Sequence, residues 1–256
     1  MFAVLLPTRL PKQSFWKKWF YKSPQPQIEK IPVFGGGFFY TVRVFPQKTG
    51  EYDLSCLPQL LGICCKRLLF EHTCAPALPP SCAPFCPKLY PYIVFLNTVL
   101  RFLRENLAEY VGSTLGIADE KGLFAALLAE NLPTVRQIFV YTCAPEKYEC
   151  VQTAAMQRFG ATIVFCTREG IRGCDLQLRC SDFSKTGIAG TLSVPQAGRT
   201  VLVGEGLVLP QSYLKKMPAN IEPMCFAAAL YECCNQIPLG ALCHTRLRPQ
   251  KNGEIY

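Results

Sequence analysis

The stretch that decides the fold is "STLGIADEKGLFAALLAEN", which runs from Ser113 to Asn131. Its first part, "STLGIA", predicts a short buried strand, and "KGLFAALLAEN" predicts a helix. The two parts meet over a glycine-containing turn. The stretch therefore has the outline of a strand that turns directly into a helix, as at the start of an α/β domain.

The chain continues this alternation downstream. The segments "QIFVYT", "ATIVFC", "CDLQLRC" and "TVLVG" predict strands, and "PEKYECVQTAAMQRF" predicts a helix that begins near Pro145 and is capped by Gly160. Such alternation favours a parallel sheet with right-handed crossovers. Only "TREGIRG" separates two of the strands, so an irregular crossover and an antiparallel edge both stay open there.

Upstream of Ser113, the sequence predicts a smaller α/β region. "FYTVRVF" predicts a strand, "LPQLLGICC" a helix and "RLLFEH" a short strand, whereas the proline-rich "TCAPALPPSCAPFCP" predicts a loop. "PYIVFLNTVLRFLRENLAEYV" repeats apolar residues near helical spacing, and we expect this helix to pack on a sheet.

The net charge of +9 is concentrated at the two ends of the 256-residue chain. Residues 1–31 carry six basic side chains against one acidic one, and residues 241–256 carry three against one. We therefore predict four regions: a basic aromatic extension (1–31), an N-terminal α/β region (32–111), an α/β domain with a mostly parallel sheet (112–240) and a basic tail (241–256). The predicted fold class is α/β, with basic extensions at both ends.

The longest apolar runs are far shorter than the roughly 20 residues of a membrane-spanning helix. The start "MFAVLLPTRL" lacks the basic region of a secretory signal, so we expect a cytoplasmic protein. The odd count of fifteen cysteines argues against a disulfide framework. Most of them lie in apolar patterns, which favours reduced, buried thiols that pack as small hydrophobic groups.

The turn after "STLGIA" departs from the phosphate-binding fingerprint G-x-G-x-x-G. Gly116 and Gly122 are six positions apart, Ala118 stands where close approach of the backbone is needed, and Asp119 and Glu120 occupy the turn. Two carboxylates repel a diphosphate but interact favourably with a helix N-terminus. We predict that Asp119 and Glu120 cap a helix that begins near Lys121.

The same region resembles the dinucleotide-binding domains of the shikimate dehydrogenase and glutamyl-tRNA reductase type. The similarity covers roughly residues 113–206 and rests on "VYTCAPEKYECVQTAAMQRFGATIV", "GCDLQL" and "AGRTVLVGEG". It implies a Rossmann-like fold and makes the following residues candidates for cofactor binding: Gly116, Ala118, Gly122 and Thr142. Those families often carry an Asn-Arg-Thr turn where this chain has Thr142, Cys143 and Ala144, so the resemblance implies a shared fold with a degenerate cofactor turn.

A second candidate site lies in "EHTCAPALPPSCAPFC". Its soft ligands His72, Cys74, Cys82 and Cys86 could hold zinc tetrahedrally. The spacing lacks a C-x-x-C knuckle, and cysteine is abundant throughout the chain. Chance clustering therefore stays the alternative to a metal site.

The stretch "SFWKKWFYKS", residues 14–23, holds both tryptophans of the protein beside three lysines. Its candidate surface-binding residues are Trp16, Lys17, Lys18, Trp19 and Lys22. Rings and lysines together suit a protein partner or an acidic membrane surface, which would make the protein membrane-peripheral. We favour these partners over nucleic acid, which stacking and phosphate contacts would also suit. The alternative is that the rings fold back onto the protein.

The sequence lacks the G-x-S-x-G, Walker and H-E-x-x-H motifs. Acid–base chemistry would depend on acids such as Asp119, Glu120, Asp175, Asp182 or Glu205. We predict a non-catalytic, Rossmann-like binding or regulatory protein without a resident cofactor. The alternative is an NAD(P)-dependent oxidoreductase with an atypical cofactor turn.

Overall fold

The computed structural model describes residues 1–8, 23–71, 77–130, 132–160, 162–194 and 200–250. The strands are β1 (Ala3–Pro7), β2 (Gln27–Pro32), β3 (Phe38–Val44), β4 (Leu68–Leu69), β5 (Thr114–Ala118), β6 (Gln137–Tyr141), β7 (Ile163–Phe165), β8 (Leu176–Cys180), β9 (Gly190–Val194), β10 (Thr200–Val208) and β11 (His244–Pro249). The α-helices are α1 (Leu57–Leu61), α2 (Tyr90–Glu105), α3 (Leu107–Tyr110), α4 (Ala125–Glu130), α5 (Glu149–Phe159), α6 (Arg168–Arg172), α7 (Phe183–Thr186), α8 (Gln211–Leu214), α9 (Pro223–Cys234) and α10 (Pro238–Leu242). Short 3₁₀ turns cover Phe34–Gly36, Gly62–Lys66 and Pro145–Tyr148.

The chain divides into two compact units, residues 1–87 with 209–239 and residues 88–208 with 240–256. The first unit holds a four-stranded sheet in the order β2-β3-β1-β4. Strand β1 pairs parallel with β3 and β4, and β2 pairs antiparallel with β3. Its core includes Phe2, which stacks on Phe39 with 5.1 Å between ring centroids.

The structure differs from the predicted N-terminal extension of residues 1–31. Strand β1 lies inside the sheet, with Ala3 opposite Tyr40 on one side and Leu68 on the other. Strand β2 forms the edge of the same sheet. The reason is the apolar run of β1, whose first three residues are buried, so this run packs in the core even though basic residues follow it in the chain.

The second unit holds a seven-stranded mixed sheet in the order β11-β10-β9-β8-β5-β6-β7. Strands β8, β5, β6 and β7 pair parallel with one another, whereas β9, β10 and β11 extend the sheet from β8 by antiparallel pairing. Within the described chain, five of the seven strands therefore run in the same direction. This confirms the predicted α/β class with a mostly parallel sheet.

Local signals set several elements of this sheet as predicted. Gly160 ends α5 with φ of +62°, and its N–H donates to the carbonyls of Ala155 and Met156. The segment "TREGIRG" forms the short helix α6, after which β8 pairs parallel with β5. The short crossover between β7 and β8 is therefore helical, and the antiparallel strands begin only at β9.

Helix α2 belongs to the second unit, although its residues fall in the predicted N-terminal region of residues 32–111. Its side chains Leu96, Val99 and Leu103 join one buried cluster with Leu115 and Leu178 of the sheet. The prediction that this helix packs on a sheet is confirmed. Burial against the seven-stranded sheet, and not position in the sequence, decides the unit to which it belongs.

The predicted basic tail, residues 241–256, contains an edge strand. Strand β11 pairs antiparallel with β10, with Gly204 opposite Leu247 and Val203 opposite Arg248. Thr245 is buried and Leu247 is half-buried, so the strand alternates between an inner and an outer face. This alternation is present in "HTRLRP" but is masked by its two arginines.

Candidate functional site

A crevice lies at the carboxyl ends of strands β5, β6 and β8 in the second unit. From β5 the chain passes to β6 on one side, while β8 lies on the other side, so β5 and β8 flank the point where the strand order reverses. In open α/β sheets, ligands bind outside the carboxyl ends of the strands at such a point. The crevice has a volume of about 390 Å³, near the lower end of the range of about 300–1,000 Å³ that small-molecule sites occupy.

Charged side chains of both signs line the crevice. The acids are Asp119, Glu120 and Asp182, and the bases are Lys121, Arg168 and Arg179. In the part of the chain that the structure describes, the acids and bases of the crevice form no ion pair with one another. The charges of the crevice therefore do not neutralise one another by direct pairing.

Asp119 is the buried member of this set, with a side chain that is 0% exposed. Its Oδ2 accepts hydrogen bonds from the Phe124 N–H at 2.8 Å and from the Tyr148 hydroxyl at 3.0 Å. Its Oδ1 is buried and has no hydrogen-bond partner among the described residues. One half of the carboxylate is thus fixed by the fold, and the other half lacks a donor.

Asp119 makes a backbone contact of the kind that the predicted capping role requires. The Phe124 N–H that it binds immediately precedes helix α4, which begins at Ala125 and not near Lys121. A turn fills the intervening residues and is closed by the Gly122 N–H, which donates to the Asp119 carbonyl at 3.1 Å. Glu120 is exposed at the surface.

Asp119 also alters the acidity of its neighbours. Burial, and then the charge of Asp119, raise the pKa of the Tyr148 hydroxyl far above its usual range. The same two causes, in the same order, raise the pKa of the Cys180 thiol to about 12. Cys180 is therefore a neutral thiol at physiological pH and a poor nucleophile.

Ala118 is the one member of the four candidate cofactor residues that lines the crevice. Gly116 lies within β5, where a Cβ atom would stand 2.9 Å from Ile171 Cγ2 and 3.0 Å from Cys174 Sγ. This glycine permits helix α6 to pack closely on the sheet. Gly122 has φ of +65° and faces the aliphatic part of Lys147, which a Cβ atom would meet at 2.7 Å.

Thr142, the fourth candidate, is engaged in its own turn. Its Oγ1 accepts a hydrogen bond from the Ala144 N–H at 3.1 Å. The hydroxyl thus stabilises the loop that leads into the 3₁₀ turn at Pro145. Local turn chemistry accounts for this residue without a ligand.

Of the four predicted metal ligands, the structure describes Cys82 and Cys86. His72 and Cys74 lie outside the described residues. Cys82 is buried in the core of the first unit, and burial raises the pKa of its thiol, while Cys86 is exposed. Within the described ranges, no group of three or more His, Cys, Asp or Glu side chains is arranged to hold a metal ion.

The candidate surface-binding residues Trp16, Lys17, Lys18, Trp19 and Lys22 all lie outside the described residues.

The structure describes every cysteine except Cys74, and the described cysteines are free thiols. Five of them are buried, namely Cys64, Cys65, Cys82, Cys174 and Cys243, whereas Cys86, Cys143 and Cys150 are exposed. The predicted role as small hydrophobic groups thus fits the buried five and not the exposed three.

The acids named from the sequence fall into separate places. Asp119, Glu120 and Asp182 meet at the crevice. Asp175 lies at the opposite ends of the strands, where its Oδ2 accepts from the Thr114 N–H and hydroxyl at 2.8 and 2.9 Å. Glu205 lies on β10 and pairs with Arg248 at 3.4 Å.

Three basic residues of the crevice were not predicted from the sequence. Arg179 is the penultimate residue of β8, Arg168 opens the helix after β7, and Lys121 stands in the turn after β5. A usable signal exists, because each follows or ends a strand that the sequence itself predicts. Side chains at the carboxyl ends of parallel strands share one edge of the sheet.

A second cavity, which we call the α2 groove, lies beside helix α2 in the same unit. It has a volume of about 920 Å³, an apolar floor that includes Leu100 and Leu103, and a rim that includes Arg101, Glu105 and His244. Arg101 binds Glu105 at 2.7 Å and His244 Nε2 at 2.8 Å. Burial, and then the charge of Arg101, lower the pKa of His244.

Comparison with protein-family models, curated proteins and solved structures gave no match to this chain. Among the described residues, no helix combines the length and the apolar character needed to cross a membrane.

Proposed function

We propose that this protein is a non-catalytic binding protein with a Rossmann-like second unit, and that its ligand site is the crevice at the carboxyl ends of β5, β6 and β8. The ligand is a small polar molecule that carries an acidic group. The observation that carries the proposal is the presence of Lys121, Arg168 and Arg179 around one crevice at the reversal point of the strand order.

The basic side chains provide the crevice with hydrogen-bond donors for an acidic group. None of the three takes part in an ion pair within the described chain. Arg179 is oriented by a hydrogen bond from its guanidinium to Gln177 Oε1 at 3.3 Å. Arginine binds carboxylates and phosphates through two parallel hydrogen bonds, which makes it suited to recognise an acidic group.

The turn after β5 argues for a ligand other than a dinucleotide. Glu120 is exposed in that turn, where its charge would repel a pyrophosphate. Gly116 is explained by the close packing of Ile171 and Cys174, and Gly122 by its φ of +65°. Helix α4 has only six residues, so it offers a weaker helix dipole than a phosphate-binding helix requires.

Binding is favoured over catalysis by the state of the crevice's side chains. Cys180 is held as a neutral thiol by burial and by Asp119, and Tyr92 uses its hydroxyl oxygen to accept a hydrogen bond from the Phe183 N–H at 3.2 Å. Burial also raises the pKa of Tyr92.

The proposal also includes a cytoplasmic location and attachment to a protein partner or an acidic membrane surface through residues 14–23.

The test is a thermal-shift screen of the whole chain with NAD, NADP, their reduced forms and a panel of small carboxylic and phosphorylated metabolites. A ligand at about 100 times its Kd stabilises the folded protein by about 2.7 kcal/mol. Arg168→Ala should weaken the binding of an active compound by about 10- to 100-fold. Arg104→Ala, which removes an exposed arginine of the α2 groove, is the matched control and should leave binding unchanged.

Two outcomes would contradict the proposal. Micromolar binding of a dinucleotide, followed by hydride transfer to any substrate, would establish the oxidoreductase alternative. A panel in which no acid stabilises the protein, or in which Arg168→Ala and Arg104→Ala have equal effects, would remove the crevice as the binding site.

A further inference from the structure

The unpartnered oxygen of Asp119 indicates a second property of the ligand, in addition to the acidic group that the basic side chains indicate. Its Oδ1 is a buried acceptor without a donor among the described residues, while Oδ2 of the same carboxylate accepts two hydrogen bonds. Native proteins supply partners to nearly all of their buried polar atoms, because an unpartnered buried charge is strongly unfavourable. Oδ1 of Asp119 is therefore a buried acceptor that the described residues leave unsatisfied.

The neighbouring side chains do not supply this donor. The Tyr148 hydroxyl is already used on Oδ2, and the Cys180 thiol makes a weak contact with the Ser181 carbonyl at 3.9 Å. Lys121 lines the same crevice but forms no ion pair with Asp119. Asp119 is itself a lining residue of the crevice, which is the route by which a donor from outside the chain would reach it.

We infer that the crevice binds a small zwitterion that carries both a primary ammonium group and a carboxylate, such as a free α-amino acid. This inference rests on the proposed function and names its ligand class. The ammonium group donates to Oδ1 of Asp119, and the carboxylate meets the guanidinium groups of Arg168 and Arg179. Both contacts are charge-assisted hydrogen bonds, which are stronger than neutral ones.

The balance of charge in the crevice agrees with such a ligand. Three acids and three bases line it, so it accommodates both ends of a zwitterion without a net charge to neutralise. Asp182 stays ionised, because hydrogen bonding from Ser184 and the nearby charge of Lys121 lower its pKa. A purely anionic ligand would leave these acids beside like charge, which is unfavourable.

The decisive experiment compares matched probes on the unmodified full chain. The free α-amino acids are screened by calorimetry beside their N-acetyl derivatives, which lack the ammonium group, and beside the simple carboxylic acids of the same side chain. We expect at least one amino acid to bind, and its N-acetyl derivative to bind about 10- to 100-fold more weakly.

A variant locates the contact. Asp119→Asn keeps one oxygen for the Phe124 N–H and the Tyr148 hydroxyl but replaces the other oxygen by an amide donor, which cannot accept from an ammonium group. We expect Asp119→Asn to weaken the amino acid by about 10- to 100-fold while the simple carboxylic acid keeps its affinity. Glu105→Gln, an exposed acid of the α2 groove, is the matched control and should change neither affinity.

The outcomes separate the inference from the proposed function. If the simple acids bind as tightly as the amino acids, the inference is overturned and the anion-binding crevice stands. If neither class binds at millimolar concentration, both are overturned. Should Asp119→Asn fail to fold, the comparison of free and N-acetylated probes on the unmodified chain still decides between these results.

Discussion

The crevice and the α2 groove lie in the same unit and both carry charges of both signs, but their charged side chains differ in pairing and in burial. In the α2 groove, Arg101 contacts Glu105 and His244 directly, and the first two side chains are 50% and 59% exposed. In the crevice, Asp119 is 0% exposed and the basic side chains pair with none of the acids.

This difference distinguishes the α2 groove, an ordinary charged surface, from the crevice, a candidate ligand site. Exposed opposite charges satisfy one another or water at little energetic effect, so their pairing says little about function. A buried carboxylate with an unpartnered oxygen lowers the stability of the folded state. Proteins keep such a group where it serves a function, such as contact with a ligand. The smaller cavity is for this reason the better candidate for a ligand site. Substitutions in the crevice should therefore have larger effects on stability than substitutions in the α2 groove.

The largest expected effect is that of Asp119→Ala in the crevice. The change leaves the Phe124 N–H and the Tyr148 hydroxyl without their acceptor, and we expect it to lower the free energy of unfolding by about 2–4 kcal/mol. Urea denaturation followed by circular dichroism measures this. Glu120→Ala, one position away and exposed, should change it by less than about 0.5 kcal/mol. Equal losses in the two variants would show that burial of Asp119 has no special role.

Gly116→Ala should have the next largest effect. A Cβ atom there overlaps Ile171 and Cys174, so we expect a loss of about 1–3 kcal/mol in the free energy of unfolding. Ligand affinity should stay unchanged, because the glycine serves packing. Gly112→Ala is the control, since a Cβ atom at that position meets nothing within 4 Å. A loss of affinity with stability intact would return Gly116 to the cofactor-binding role.

In the α2 groove, Glu105→Gln should be nearly silent. The Arg101–Glu105 pair is an exposed i,i+4 pair, and such pairs contribute about 0.3–0.5 kcal/mol. The difference between the wild type and the variant should shrink further at high salt. A loss above about 1 kcal/mol in urea denaturation would mean that the groove holds its charges as tightly as the crevice does.

The smallest expected effect is a pH dependence at His244. Its pKa in the folded protein is lowered from the ordinary value of 6.5, so the unfolded chain binds a proton more readily. His244 therefore leaves stability unchanged above about pH 6.5, and stability falls as the pH drops from there through the lowered folded pKa.

Melting temperatures of the wild type and His244→Gln between about pH 5 and pH 7.5 measure this slope. The variant should lose less stability on acidification, while any contribution of His72 cancels because both proteins contain it. A steeper slope in the variant would contradict the lowered pKa and the contact with Arg101.

Sequence patterns predicted the elements whose causes are local. Strand β5, helix α5 with its Gly160 cap, and the role of Asp119 before α4 all follow from residues within a few positions of one another. The start of α4 was predicted about four residues too early, because the turn after Asp119 contains residues that also suit a helix. Boundaries depend on such competition between turn and helix.

Other elements depend on distant partners. Strand β1 is central because Ala3 pairs with Tyr40 and Leu68, and strand β11 joins the sheet because Leu247 pairs with Gly204. No local pattern encodes a pairing across 35 or more residues. The basic residues near both strands favour the prediction of extensions at the two ends, because charge usually marks exposed chain.

The sequence by itself determined that this is an α/β protein, with a strand, a turn and a helix around Asp119. Only the tertiary structure decided that Asp119, Arg168 and Arg179 share one crevice, and that one oxygen of Asp119 is left without a donor. The physical reason is that parallel strands bring their carboxyl ends to one edge whatever their separation in the chain. Hydrogen-bond satisfaction at that edge depends on burial, which is a property of the folded chain alone.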